Sequence, residues 1–392
     1  MHFDVDAHTI FLGVTGSHAY GMARAGSDVD VRGACIPPRE VRDSHYKVFE
    51  QFLVSEQRGA WGPGPATQAV EVILRHPTAG DSYRQSDPVF RRTNGAVDLC
   101  IYSLNKLVTL AANNNPNVLE LLFLDERDVL YADDRWRRLV EQRDLFLSRK
   151  CKHTYLGYAH AQLKRIKGHR EWLLHPPEHE PTRRDFDLPE ESVLPADVRN
   201  QIDEAVKRIV GGWRVDDGLE DVLSGATLDV LMGRLRDFHA TLLACSEGLL
   251  DEKIYEIGAA SIGLSKDVLY AIRQERRYRA ARKHWEQYQR WVRERNPARA
   301  ELEAKYHMDT KHASHLIRLM KTGYEILTEG VLRVRRPDAE ELLAIRDGAL
   351  SYDQLIEEAE RIERAVIEAE TTSRLPRSPQ VEKIDEVLLS VL

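Results

Sequence analysis

The stretch Gly16-Ser17-His18-Ala19-Tyr20-Gly21-Met22-Ala23-Arg24-Ala25-Gly26-Ser27-Asp28-Val29-Asp30-Val31-Arg32-Gly33 constrains this chain more than any other. It follows the apolar run Ile10, Phe11, Leu12, Gly13, Val14, and so reads as strand, glycine turn, short helix, second turn and strand. Glycine at the first turn lets the backbone approach an anion, and the amides at a helix start offer unpaired donors and partial positive charge. Ser17 adds a hydroxyl there. Along the second strand side chains alternate, which sends Asp28 and Asp30 to one face and Val29 and Val31 to the core. Two parallel carboxylates repel unless a cation lies between them, and magnesium takes hard oxygen ligands from one or two carboxylates together with substrate phosphates. The plainer reading makes Gly-Ser the opening of a hairpin and Asp-x-Asp a surface pair on an edge strand. The two halves together, each behind an apolar strand, favour phosphate and metal.

A third acid is offered further on. Ala96 to Tyr102 reads as an apolar strand interrupted by Asp98, which is costly if buried unpaired and so belongs either at an exposed edge or beside a cation. With Asp28 and Asp30 in hand, Asp98 is the preferred third metal ligand, and Glu71, on a predicted strand Val70 to Leu74, is the runner-up. Long Gly/Pro-containing and polar loops flank that strand and suggest a substrate-facing rim. Asn115-Pro116-Asn117-Val118-Leu119-Glu120 has a structural explanation: Asn117 as a helix N-cap and Glu120 closing a capping box.

Gly-Ser, about ten residues, then Asp-x-Asp resembles the active-site signature of the DNA polymerase beta superfamily of nucleotidyltransferases. More narrowly, Gly16 to Gly33 is similar to the RNA repair pathway polymerase beta family, which carries Gly-Ser-x-Ala-Tyr-Gly and then Ser-Asp-x-Asp-x-Arg-Gly. The resemblance extends to a carboxylate on a strand before a helix and Asn-Pro-Asn-x-Leu-Glu. It returns in Lys311-His312-Ala313-Ser314-His315-Leu316-Ile317-Arg318-Leu319, Arg335-Arg336-Pro337, Glu341-Leu342-Leu343 and Ile345-Arg346-x-Gly348. It covers roughly residues 10 to 124 and 285 to 365.

From about residue 134 the pattern is helical. Helices are predicted at Asp134 to Leu147, His153 to Leu174, Asp197 to Val210, Leu228 to Ser246, Lys266 to Glu294, Ala298 to Glu329, Ala339 to Arg346 and Tyr352 to Ala369. At 392 residues the chain exceeds the usual limit of one core. The expected fold is α+β: a nucleotidyltransferase domain over 1–132, with a mixed sheet and flanking helices, then a larger all-helical domain over 133–392 walling the cleft. Lys266 to Glu294 interleaves cations with aromatics. That pattern serves phosphates and bases, but a solvated face opposite an aromatic core stripe gives it too and is preferred here. Lys311, His315, Arg318 and Thr322 share one stripe of their helix, which predicts a cationic face toward the cleft whose residues are removable at little cost to stability. A metal site at His312 and His315 is the weaker reading, since His312 falls toward the apolar side.

A net charge of -7 argues against a protein that coats nucleic acid non-specifically, though not against a local basic groove. No apolar run approaches a membrane span, and the N-terminus has no basic segment followed by an apolar one, so a cytoplasmic protein without membrane contact is expected. Cys35, Cys100, Cys151 and Cys245 show no paired ligand spacing and read as reduced, mostly buried thiols.

Together these readings predict transfer of a nucleoside monophosphate from a nucleoside triphosphate, such as ATP, to an acceptor. Asp28, Asp30 and Asp98 are assigned as catalytic residues holding two Mg2+ ions, for which Mn2+ is a substitute. Gly16, Ser17, Ser27, Arg32, Lys311, His315 and Arg318 are assigned to the nucleotide, with pairing to Asp30 an equal alternative for Arg32. An RNA end is the acceptor that the family resemblance implies. Nucleotidylation (AMPylation) of a protein, and a nucleotide- or RNA-binding module without turnover, are the alternatives.

Overall fold

The apolar run before the first glycine turn folds as strand β1 (Thr9–Thr15), buried along nearly all its length. It belongs to a computed structural model that describes residues 3–24, 27, 29–44, 49–53, 97–190, 266–295 and 297–392. Asp28, Glu71, Cys245, the predicted strand at 70–74 with its flanking loops, and the helices predicted at 197–210 and 228–246 lie outside the described residues. After β1 come the single turn α1 (Gly16–Ala19), β2 (Val29–Cys35), α2 (Arg39–Arg42), β3 (Gln51–Leu53) and β4 (Val97–Ser103). α3 (Leu104–Ala112), α4 (Pro116–Leu119), β5 (Val129–Ala132), α5 (Asp134–Glu141) and α6 (Cys151–Leu174) follow.

The described strands make one mixed sheet in the order β3-β4-β2-β1-β5. β2 and β4 run parallel, and the other pairs are antiparallel. In β2 burial alternates as the sequence requires: Val29 and Val31 are buried, Asp30 and Arg32 half-buried. Val29 and Val31 join Leu12, Phe52, Leu99 and Ile101 in a core on one face of the sheet, closed by Phe3, Val5 and Val41. Ile10, Phe11 and Ala34 join a larger core with Leu104, Leu107, Trp136 and the later helices, and Phe11 stacks on Trp136 at 3.9 Å between ring centres. The fold class expected from the sequence is the one observed.

The remaining helices are α7 (Lys266–Glu294), α8 (Pro297–Tyr306), α9 (Thr310–Glu329), α10 (Ala339–Arg346), α11 (Tyr352–Thr372) and α12 (Val381–Val391). The chain divides into two compact units, residues 1–175 with 296–392 and residues 176–295. In the first, α9 is the central helix, packed by α6, α10 and α11. Gly323 allows that closeness, because a Cβ there would meet the Tyr155 Cβ of α6 at 3.0 Å. The helix expected from Ala298 to Glu329 is two. It breaks at His307, which takes a left-handed φ of 52°, and restarts where the Asp309 carboxylate caps α9 by accepting the His312 N–H. In the second unit Tyr278 of α7 packs edge-on against Phe186, with the Arg183 guanidinium 5.5 Å from its centre. Cys35, Cys100 and Cys151 are buried and form no disulfide, and burial pushes the Cys151 thiol up to about 12.

Candidate active site

Asp30 and Asp98 are brought side by side by the sheet. They are register partners on the neighbouring parallel strands β2 and β4, so their side chains leave the same face, opposite Val29 and Val31. Both carboxylates are partly open to solvent, 35% and 59% exposed. Arg32, two residues beyond Asp30 on that face, lies between them: its guanidinium donates to Asp98 Oδ2 at 3.0 Å and to the Asp98 carbonyl at 2.9 Å, and stands 3.6 Å from Asp30 Oδ1. Burial alone would lower the Arg32 pKa, but Asp98, and after it Asp30, raise it, so the group stays charged. The sequence left Arg32 open between a triphosphate and Asp30; its nearer partner is Asp98.

The glycine turn stands against this pair. Thr15, the last residue of β1, is the register partner of Asp30, and its hydroxyl donates to the Asp30 carbonyl at 3.3 Å. It therefore does not cap α1, and no side chain caps the first turn. Gly16 follows with φ 64°, and a Cβ on it would collide with Asp30 Oδ2. Glycine is needed there twice, for the left-handed backbone and for room beside the carboxylate. At the second turn Ser27 and Arg24 exchange bonds: the Ser27 N–H donates to the Arg24 carbonyl at 2.9 Å, and the Arg24 N–H to Ser27 Oγ at 2.8 Å.

Behind the turn lies a buried polar network that sequence reasoning missed. Tyr20 Oη donates to the Glu120 carboxylate at 2.9 and 3.0 Å, the Arg318 guanidinium lies over the Tyr20 ring at 3.8 Å, and Arg318 stands 3.8 Å from Glu120. Burial pushes the Glu120 carboxyl up, opposed by Arg318, and pushes the Tyr20 phenol up as well. The capping expectation at Asn117 and Glu120 is corrected. Asn115 is the N-cap of α4, because Pro116 takes the first helical position, and Glu120 is thereby left to face Tyr20. The only signal for this network in the sequence is the presence of all three residues within family-like motifs.

The stripe of α9 is likewise not one exposed cationic face. Lys311 is exposed, whereas Arg318 and Thr322 are each 3% exposed. A guanidinium only donates, so the contact of 3.1 Å between Arg318 and His315 Nδ1 makes that nitrogen an acceptor and the ring neutral. Burial first, and then Arg318, hold the His315 pKa well below its usual value in the same sense. Helices and the first turn enclose α9 beyond its exposed start, so Arg318 and Thr322 meet protein partners instead of water, and Arg318 is not removable without cost. Arg336, buried, binds both oxygens of Glu325 at 2.6 and 2.7 Å, and its backbone N–H donates to the Tyr20 carbonyl at 3.1 Å. Arg335 pairs with Asp128 at 3.1 Å. The motif residues near the chain end thus brace the glycine turn.

A mixed sheet that sets two carboxylates in register beside a left-handed glycine turn agrees with the resemblance to polymerase-beta-like nucleotidyltransferases drawn from the sequence. More particularly, residues 2–173 match the family model of RlaP, the RNA repair pathway DNA polymerase beta family. Over 166 residues the chain is 24% identical to an uncharacterized 38.9 kDa protein in the nrdC-mobD intergenic region of Enterobacteria phage T4. That alignment covers 41% of this chain and 40% of the phage protein's length. No solved structure matches the chain. Among the described residues no helix is long and apolar enough to cross a membrane.

Proposed function

We propose that the protein transfers a nucleoside monophosphate from a nucleoside triphosphate to an RNA end. The observation that carries this reading is the register pairing of Asp30 with Asp98 beside Gly16. The donor set fits a hard divalent cation: two partly exposed carboxylates on rigid paired strands, already drawing the positive charge of Arg32. Asp28, Asp30 and Asp98 would hold two Mg2+ ions, which when bound lower the acceptor's pKa and stabilise charge on the leaving oxygen.

In this reading the acceptor oxygen attacks the alpha phosphorus, the bond from that phosphorus to the oxygen bridging to the beta phosphate breaks, and pyrophosphate leaves. The uncapped amides of Gly16 and Ser17, with the Ser17 hydroxyl, bind the beta and gamma phosphates. Ser27 closes the turn that leads into Asp28, and Arg32 balances charge as nucleotide enters. Arg318 and His315 serve the nucleotide by fixing Tyr20 and the glycine turn, and Lys311 supplies an exposed cation. Residues 1–132 carry the chemistry, and helices of 133–392 that share the first compact unit wall the site.

The test uses the full chain with Mg2+, each of the four nucleoside triphosphates labelled at the alpha phosphate, and RNA bearing a free 3' hydroxyl. Label in the RNA with release of pyrophosphate is the expected result. Label in the protein alone, or bound nucleotide with no transfer to RNA, would contradict it.

A further inference from the structure

The break at His307 gathers three metal-ligating side chains apart from the strand carboxylates. Asp309 precedes α9 with its side chain fully buried, His312 lies on the first turn of α9, and His169 reaches in from the last turns of α6. One ligand atom from each lies within 4.8 Å of the others. Both rings address the same oxygen, with His169 Nδ1 at 3.3 Å and His312 Nε2 at 3.5 Å from Asp309 Oδ2. The His169 contact is a hydrogen bond, long beside the about 2.7–2.9 Å to which charge-assisted N–H to carboxylate bonds close. Metal bonds of about 2.0–2.2 Å at a tetrahedral angle separate two ligand atoms by about 3.3–3.6 Å, which is the spacing of each ring nitrogen from Asp309 Oδ2.

The surroundings hold this arrangement. Asp309 Oδ1 accepts the His312 backbone N–H at 3.0 Å, which fixes the carboxylate and aims Oδ2 at the rings. His169 stacks on Trp172 at 5.5 Å, and Arg170 donates to the His307 carbonyl at 2.9 Å. His307 itself keeps a left-handed φ of 52°, a conformation that a non-glycine residue holds at a cost.

We propose that His169, Asp309 and His312 bind a Zn2+ ion that ties the end of α6 to the start of α9. Two imidazole nitrogens and one carboxylate oxygen suit zinc, whereas magnesium asks for an octahedron of oxygens. Three protein ligands leave a fourth position for water or another donor. This site shares no residue with the proposed Asp28, Asp30 and Asp98 site.

The full chain, stripped with a chelator, is titrated with Zn2+, and its metal content is measured after gel filtration. In parallel Co2+ is added and the visible spectrum recorded. About one zinc per chain, a rise in Tm on adding zinc, and the visible bands of four-coordinate Co2+ are expected. His169→Gln and His312→Gln should each weaken zinc binding at least about tenfold with the helical circular dichroism unchanged. Should His312→Gln disturb the start of α9, His169→Gln decides alone. No stoichiometric zinc at micromolar free ion, or binding equal to wild type in the His169→Gln chain, would overturn the proposal. Neither result bears on nucleotidyl transfer.

Discussion

Arg318 is the residue whose surroundings differ most from what its position on a helical stripe suggests. Its guanidinium is buried over Tyr20 and near Glu120, so removing it leaves an acid enclosed without its cation. Breaking such a buried pair costs about 3–5 kcal/mol, whereas removing an exposed cation stays within about 0.5 kcal/mol. Urea unfolding should therefore show Arg318→Ala losing about 3 kcal/mol and Lys311→Ala almost nothing. Adding Glu120→Gln to Arg318→Ala should restore part of the loss. Equal stability of the two single variants would mean that the Glu120 network contributes nothing. Gly16 and Asp30 were legible in the sequence because their relation is local: fourteen residues of strand, turn and strand bring them together. Tyr20, Glu120 and Arg318 were not, since the 100 residues from Tyr20 to Glu120, and the longer span to Arg318, are closed only by tertiary packing that no periodicity encodes.

At the scale of elements, α9 is the helix on which the first unit is assembled, and its contact with α6 depends on Gly323. A Cβ at 323 already reaches Tyr155 at 3.0 Å, so Gly323→Val forces α6 and α9 apart or Tyr155 off its rotamer. Overpacking of this kind costs about 1–3 kcal/mol. Thermal unfolding of Gly323→Val should show a clear drop in Tm, and an unchanged Tm would mean that the helices separate without penalty. Element type was well read where the helical pattern runs long, as in Lys266–Glu294 and Tyr352–Thr372. The boundaries failed where one side chain decides them: Asp309 starts a new helix inside a continuous helical pattern, and Pro116 moves a cap from Asn117 to Asn115. Both are set by single polar side chains that cap a helix, which hydrophobic spacing does not resolve.

At the scale of the molecule, the chain end returns to the beginning. Arg335 and Arg336, more than three hundred residues from the glycine turn, lie against it at Gly21 and at the Tyr20 carbonyl, and α9 closes over the same turn with Arg318. The separate family-like motifs of the sequence are thus one piece of structure, built around Gly16, Asp30 and Asp98. The account rests on those two strand carboxylates being the catalytic pair. The most direct measurement compares transfer of alpha-labelled nucleotide by wild type, Asp30→Asn and Asp98→Asn at saturating Mg2+, with folding followed by circular dichroism. Loss of charge stabilisation worth about 2.7–4 kcal/mol predicts a rate at least about a hundredfold lower in each variant, with the fold intact. Near-wild-type transfer by either well-folded variant would contradict the central claim.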